Sequence, residues 1–222
     1  MRTAALPRAF YERPTLDVAR DLIGKVLVHH TQAGAASGVI VEAEAYIGES
    51  DPACHAAPGP TQRNAPLYGT PGIAYVYINY GIHYLVNAVT EGEGVPAAVL
   101  IRALEPLEGI AVMRRRRARA MKGRQARSGR ALADHDLCRG PGNLTMAMGI
   151  TLDENRVDLL GDRLFVEDRG LGVGPVGRGP RIGIRVGVEH PWRVYVARHP
   201  AVSGRRIVAD PEGLPIRLLT DY

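Results

Sequence analysis

Cysteine is nearly absent from this chain of 222 residues: only Cys54 and Cys138 occur. Two such residues cannot build a disulfide framework, and neither lies in a CxxC pair. They read as free thiols of a reducing compartment. No cluster of Cys, His and acidic residues carries zinc-ligand spacing, so no metal is expected. Long apolar runs are missing too. None reaches the ~18–20 residues needed to span a membrane. The opening MRTAALPRAFYERP has no continuous apolar stretch that would serve as a signal-peptide core. The expectation is a cytoplasmic protein, nucleoid-associated if bacterial, neither secreted nor held in a membrane. Internal repeats and long linkers are also lacking. The 26 glycines and 16 prolines stay below the roughly 25–30% that marks low complexity.

What is present is an ordinary globular balance, 45% hydrophobic and 23% charged. At roughly 100–200 residues per domain the length suggests one large domain or at most two small ones, and it can bury a core without staples. The net charge of +5 weakly favours an acidic partner. Nearly all of the positive charge is arginine, with lysine only at Lys25 and Lys122. Residues 113–130 concentrate it, with eight Arg, one Lys and no acid. That run is either a solvated charge segment or one that faces phosphates.

PTLDVARDLIGK reads as a short helix from about Thr15, closed by Gly24. KVLVHH, GVIVEAEAYIG, IAYVYI, IHYLVNAVT, PAAVLIRALE, RLFVED, PRIGIRVGV and WRVYVAR read as strands from their β-branched content and alternation. LEGIAVMRRRRARA reads as helix, and RGPGNLTMAMGI as a turn followed by a short helix. Residues 51–72, rich in Pro, Gly and Ala, form a long irregular loop of the kind that is often functional. Strands dominate without βαβ alternation. The fold class is therefore α+β: a single domain with a largely antiparallel, curved β-sheet core, flanking helices and a protruding β-hairpin.

Several residues carry chemistry. In GVIVEAEAYIG, alternation puts Val39, Val41, Ala43 and Ala45 on one face and Ile40, Glu42, Glu44 and Tyr46 on the other. The two carboxylates then lie ~7 Å apart. They form either a solvated edge or a site with one general base. A glycosidase pair must straddle the scissile bond, which neighbours on one strand rarely do, so one catalytic carboxylate is expected. Tyr80 sits in the turn between two strands. It either folds back or serves as a wedge inserted into a duplex, with Asn79 and His83 beside it. Asn87 lies in an apolar run as a satisfied structural amide or a reader of a ligand group. Arg102, amid Leu100, Ile101, Ala103 and Leu104, should find a carboxylate, Glu42 or Glu44.

In order along the chain come VEAEAYIG, His55, TQRN, YVYINYG, Asn87, RALEPLEG and GPGNL. This combination resembles the alkyladenine (3-methyladenine) DNA glycosylase family of base-excision repair, across most of the chain. The resemblance implies that Glu44 activates the attacking water and that Arg102 helps hold it. It implies that Tyr46 and His55 pack on one side of a flipped base and Tyr77 on the other. Tyr80 fills the gap left in the duplex, and Asn87 reads the base edge. Arg63, Asn64, Asn79, His83, Gly140, Gly142 and Asn143 are the expected DNA contacts. Three positions depart from the family's usual pattern: APGPTQRN lacks a basic residue before Thr61, Leu67 stands for Met, and Cys54 for Ser or Ala. They bear on the pocket mouth and damage preference.

The implied activity is flipping of an alkylated or deaminated purine out of duplex DNA and hydrolysis of its N-glycosidic bond, leaving an abasic site. A base in a duplex must be rotated out before its glycosidic carbon is reachable. A cationic alkylated purine stacks well on aromatic faces and is already a good leaving group. A lyase would need an amine nucleophile, and Lys25, Lys122 and the N-terminus lie outside these motifs. The expectation is a monofunctional, water-using enzyme, a monomer with no metal or nucleotide cofactor. Two alternatives stand beside it: a non-catalytic DNA-bending or nucleic-acid-binding domain, and a hydrolase or transferase of small glycosidic or nucleotide substrates. The whole chain, 1–222, is taken as one such domain, with the mobility of the Arg-rich 114–130 segment left open.

Overall fold

The hub of the protein is one long strand. The computed structural model describes residues 4–120 and 132–204, and in it Gly34–Ile47 forms a continuous 14-residue strand, β2. Its first half pairs with β1 (Val26–Thr31), and residues Glu42 to Glu44 pair on the same edge with β8 (Arg193–Val196). Its other edge is covered by β5 (Ala97–Glu108). The hairpin of β3 (Ala74–Asn79) and β4 (His83–Val89) extends the sheet from β5. On the other side β6 (Leu164–Glu167) follows β1, and β7 (Val176–Gly179) pairs with β8. The order is β3-β4-β5-β2-β1-β6, all antiparallel, and the sheet curls into a half-barrel within a single compact α+β domain.

The helices follow from their apolar spacing. In α2 (Thr15–Leu22) the buried residues are Thr15, Val18, Ala19 and Leu22, the i, i+3, i+4, i+7 stripe of an amphipathic helix. It follows a short turn of helix, α1 (Arg8–Tyr11). The α3 helix (Ile110–Ala120) starts one residue beyond β5. Gly109 makes that junction at φ 72°, and a Cβ there would stand 2.2 Å from the Ala35 carbonyl oxygen. The α4 helix (Pro141–Met148) buries Leu144, Ala147 and Met148. These helices close one face of the sheet over a core containing Leu22, Ile40, Ile101, Leu104, Met113 and Leu144. Both cysteines are free and buried, and burial pushes the Cys138 thiol up to about 12. Among the described residues no helix is long and apolar enough to cross a membrane.

Three expectations change here. PRIGIRVGV is not a strand; the strand of that region is Val176–Gly179. The Ile182 amide is taken by the Glu44 carboxylate at 2.7 Å, so the backbone there serves a side chain instead of a ladder. The simple alternation along β2 also breaks. The register against β5 shifts between Ile40 and Glu42 and again between Glu42 and Ala43, and Ile40 and Val41 both enter the core. The arginine run, finally, is a working part of α3. Arg114 bonds the Leu132 carbonyl and Asp134, Arg116 bonds the Ala147 and Met148 carbonyls, and Arg117 bonds Asn143. The Arg116 guanidinium, at the C-terminus of α4, satisfies two of its last carbonyls. Residues 121–130 of the run lie outside the described residues.

Candidate active site

The two glutamates of β2 project on one side, as alternation requires, and a second irregularity supplies their partner. In the register of β5 against β2, Ala103 faces Glu42 and Ile101 faces Ala43, so Arg102 has no opposite residue. Such a bulge re-aims a side chain, and Arg102 turns its guanidinium onto both acids. Its Nε donates to Glu42 Oε1 and its Nη1 to Glu44 Oε2, each at 3.1 Å. A second guanidinium arrives from β8, where Arg193 Nε donates to Glu42 Oε1 at 2.7 Å. Two buried cations thus balance two buried carboxylates, the condition under which such charges are tolerated.

The two carboxylates are not equivalent. Glu42 accepts from Arg102, from Arg193, from the Ser203 hydroxyl at 3.0 Å and from the Ser203 amide at 2.7 Å. Three of these fall on Oε1 and one on Oε2, and of the donors Arg102 alone lines the cavity described below. Glu44 accepts three hydrogen bonds: the Ile182 amide on Oε1, and the Tyr46 hydroxyl at 3.0 Å and Arg102 on Oε2. One acceptor site remains, on Oε1. Burial pushes Glu44 above the ordinary glutamate range, with Arg102, the Ile182 amide and Tyr46 opposing. Burial and the Glu44 charge raise the Tyr46 phenol strongly, which keeps it a donor.

Beside this network lies a cavity of about 360 Å³ between the hairpin, the 51–72 loop and residues 182–184. That is within the usual size of a small-molecule pocket. Tyr46, His55, Tyr75, Tyr77, Asn87 and Arg102 all line it. Glu44 is fully buried behind them. His55 Nδ1 lies 2.9 Å from the Tyr75 hydroxyl, and burial, helped by Arg63, lowers the pKa of His55. A neutral imidazole there does not repel a cation. The His55 and Tyr77 rings meet edge-on with centroids 4.4 Å apart. A planar ring between two others needs about 7 Å, twice a carbon contact distance. His55 and Tyr77 therefore form one continuous wall here, where the sequence reading set them on opposite sides of a base. The Asn87 amide nitrogen donates to the Tyr75 carbonyl at 3.0 Å, which leaves its oxygen as an acceptor. Cys54 and Leu67, two of the departures from the family pattern, also line the cavity.

The hairpin tip stands clear of the protein. Tyr80, at φ 50°, is 84% exposed and Ile82 is 74% exposed. Asn79 lines the cavity mouth and His83 is exposed. Gly142, at the start of α4, packs on His83, and a Cβ there would be 2.8 Å from the His83 ring. Gly140 caps the same helix. Arg63 is exposed, bonds the Ile78 carbonyl at 3.3 Å and lies 5.7 Å from the Tyr77 ring. Two of the expected DNA contacts are bonded inside the protein. Asn64 is buried, with its oxygen on the Thr61 amide and its nitrogen on the His55 and Gly59 carbonyls. Asn143 accepts from Arg117 and donates to the Arg139 carbonyl. Both shape the loops that carry neighbouring residues.

The sequence reading missed Tyr75, Ile182, Arg193 and Ser203. Tyr75 had a signal, since it shares a strand face with Tyr77. The other three become site residues only when the last strand folds back onto β2.

A buried carboxylate with spare acceptor capacity lies beside an aromatic cavity and an exposed aromatic finger, an arrangement suited to a hydrolase, and comparison with other proteins gives the class. The sequence model of the family described as methylpurine-DNA glycosylase matches residues 9–200. A protein of Methanocella arvoryzae named "Putative 3-methyladenine DNA glycosylase" is 48% identical over 204 residues, 90% of this chain and 96% of that one. A Rubrobacter xylanophilus protein of the same name is 49% identical over 189 residues, 84% and 92% of the two chains. The chain belongs to the methylpurine-DNA glycosylase family. It is a DNA glycosylase, an enzyme of DNA repair that hydrolyses N-glycosidic bonds.

Proposed function

We propose that the protein takes an alkylated or deaminated purine out of duplex DNA into the 360 Å³ cavity and releases it with a water activated by Glu44, leaving an abasic site. One observation carries this reading. Of two adjacent buried carboxylates, Glu42 is bound by Arg193 and Ser203, which do not line the cavity, whereas Glu44 is bonded by the cavity-lining Tyr46, Arg102 and Ile182 and keeps an acceptor site on Oε1 for a water proton. Ionised Glu44 then serves both as base and as the charge that stabilises an oxocarbenium-like sugar. Arg102 favours the ionised form of Glu44 and reaches the cavity wall.

The rest of the site fits the steps that flank hydrolysis. Tyr80 fills the hole in the duplex while the base is out, an insertion for which its exposure at the tip suits it. Tyr46, with the His55–Tyr77 wall, contacts the base, and these electron-rich faces favour a cationic ring. The Asn87 oxygen accepts from the base edge. The cation itself weakens the glycosidic bond, so no proton donor to the leaving base is required for methylated purines. Among the described residues no lysine lines the cavity, which favours simple hydrolysis over an amine-linked route.

The test is release of methylated purines from alkylated duplex DNA by the wild type and by Glu44→Gln. Release by the first and none by the second supports the proposal. Equal release by both removes Glu44 from the reaction. Tight binding without release by either favours a non-catalytic binder.

A further inference from the structure

Arg181 and Asp51 play no direct part in the proposed reaction, yet they form a fully buried ion pair at its edge. The pairing is bidentate, with Arg181 Nη1 on Asp51 Oδ2 at 2.5 Å and Nη2 on Oδ1 at 2.8 Å. Asp51 also accepts the Ala53 amide at 3.0 Å and the Ile47 amide at 3.2 Å, and Arg181 Nη1 donates to the Ala45 carbonyl at 3.0 Å. Three segments are thereby tied together: the end of β2, the start of the 51–72 loop, and the irregular chain around residue 181.

Two features of the site depend on that tie. Ile182, the next residue, gives its amide to Glu44 Oε1 at 2.7 Å. The Arg181 guanidinium lies over the Tyr46 ring at 4.6 Å and over the Trp192 ring at 4.9 Å, so it backs a ring that lines the cavity. Asp51 balances its charge, and a cationic base near Tyr46 meets a neutral pair.

We propose that Arg181 and Asp51 are positioning residues for base release, the pair holding the Ile182 amide on Glu44 and the Tyr46 ring at the cavity. This rests on the reading of Glu44 as the base. The charged and titratable groups facing Glu44 are Arg102 from β5, Glu42 and Tyr46 on its own strand, Tyr77 from β3, Arg181, and Arg193 beyond Glu42.

The experiment is single-turnover release of methylated purine from alkylated duplex DNA, followed across pH. It compares wild type, Arg181→Lys, Arg181→Met, the double variant Arg181→Met with Asp51→Leu, and Glu44→Gln. The double variant leaves no lone buried charge, a replacement that buried pairs tolerate. Small misplacements of catalytic groups cost up to about 100-fold, so Arg181→Met and the double variant should lose about 10–100-fold in plateau rate. Their acid limb should move to higher pH, because Glu44 loses a donor to its charged form. Arg181→Lys keeps the charge without the fork and should fall between. A folded double variant with the wild-type plateau and acid limb overturns the proposal. So does a slower variant whose acid limb has not moved, since that marks support of the fold alone. Glu44→Gln separates the two readings. If it releases base normally, the Glu44 reading fails and the clamp with it. If it is inactive while the double variant matches wild type, only the clamp fails.

Discussion

Replacing Glu42 by glutamine removes a charge shared by two buried guanidinium groups, Arg102 and Arg193. The change leaves Glu44 as the single carboxylate for both cations. Breaking a buried pair by removing one partner costs about 3–5 kcal/mol. For a chain of 150–250 residues each kcal/mol is worth about 2–4 °C, so the melting temperature should fall by roughly 6–20 °C. Glu44→Gln makes the opposite case. Arg102 keeps Glu42, and the new amide oxygen still accepts one donor, so the loss is about 1–3 kcal/mol. Its base release, however, should drop about 10²–10⁴-fold, the contribution of a general base. Thermal unfolding by calorimetry, beside single-turnover base release, reads both. The division of roles between the two carboxylates is refuted if Glu42→Gln melts within about 2 °C of wild type, under 1 kcal/mol by the same conversion. It is equally refuted if the two variants lose activity and stability in parallel.

Three further outcomes are expected. Base release should decline as pH falls through a value above the ordinary glutamate range, because burial raises Glu44 and only its ionised form takes a proton from water; a rate that stays flat down to the usual carboxylate range contradicts this. Tyr80→Ser should leave the melting temperature unchanged, since surface substitutions stay within about 0.5 kcal/mol, while excision from duplex DNA falls; unimpaired excision would show that the finger does not insert. Arg116→Ala should lower stability by about 1–3 kcal/mol through its lost charged hydrogen bonds to Ala147, Met148 and Thr31, without altering the salt dependence of DNA binding. A flatter salt slope with unchanged stability would instead place Arg116 at a phosphate.

Period-two alternation was enough to put Glu42 and Glu44 on one face of one strand, because that spacing is local geometry. The turn at Asn79-Tyr80-Gly81 likewise announced a hairpin tip with an aromatic on it. An isolated arginine in the apolar run of β5 could be read as seeking a carboxylate, and it found both. Local pattern also located most strands and the helices at Thr15, Ile110 and Pro141. It failed at residues 180–188, where β-branched alternation predicted a strand but the chain is irregular and the Ile182 amide is taken by Glu44. It could not tell that Asn64 and Asn143 would be used internally, since an amide's partner is set by how its loop closes.

Which acid is free for chemistry was decided only by tertiary structure. Arg193 and Ser203, 151 and 161 residues beyond Glu42, reach its carboxylate when β8 pairs with the second half of β2. No spacing rule reaches across that distance. The bulge that frees Arg102 from register and the clamp that joins Asp51 to Arg181 arise in the same way, from the closure of the sheet. Residue types and short spacings brought the chemical groups to the right faces. The long-range pairing that folds the end of the chain onto its first long strand determined which of those groups are satisfied and which are left to act.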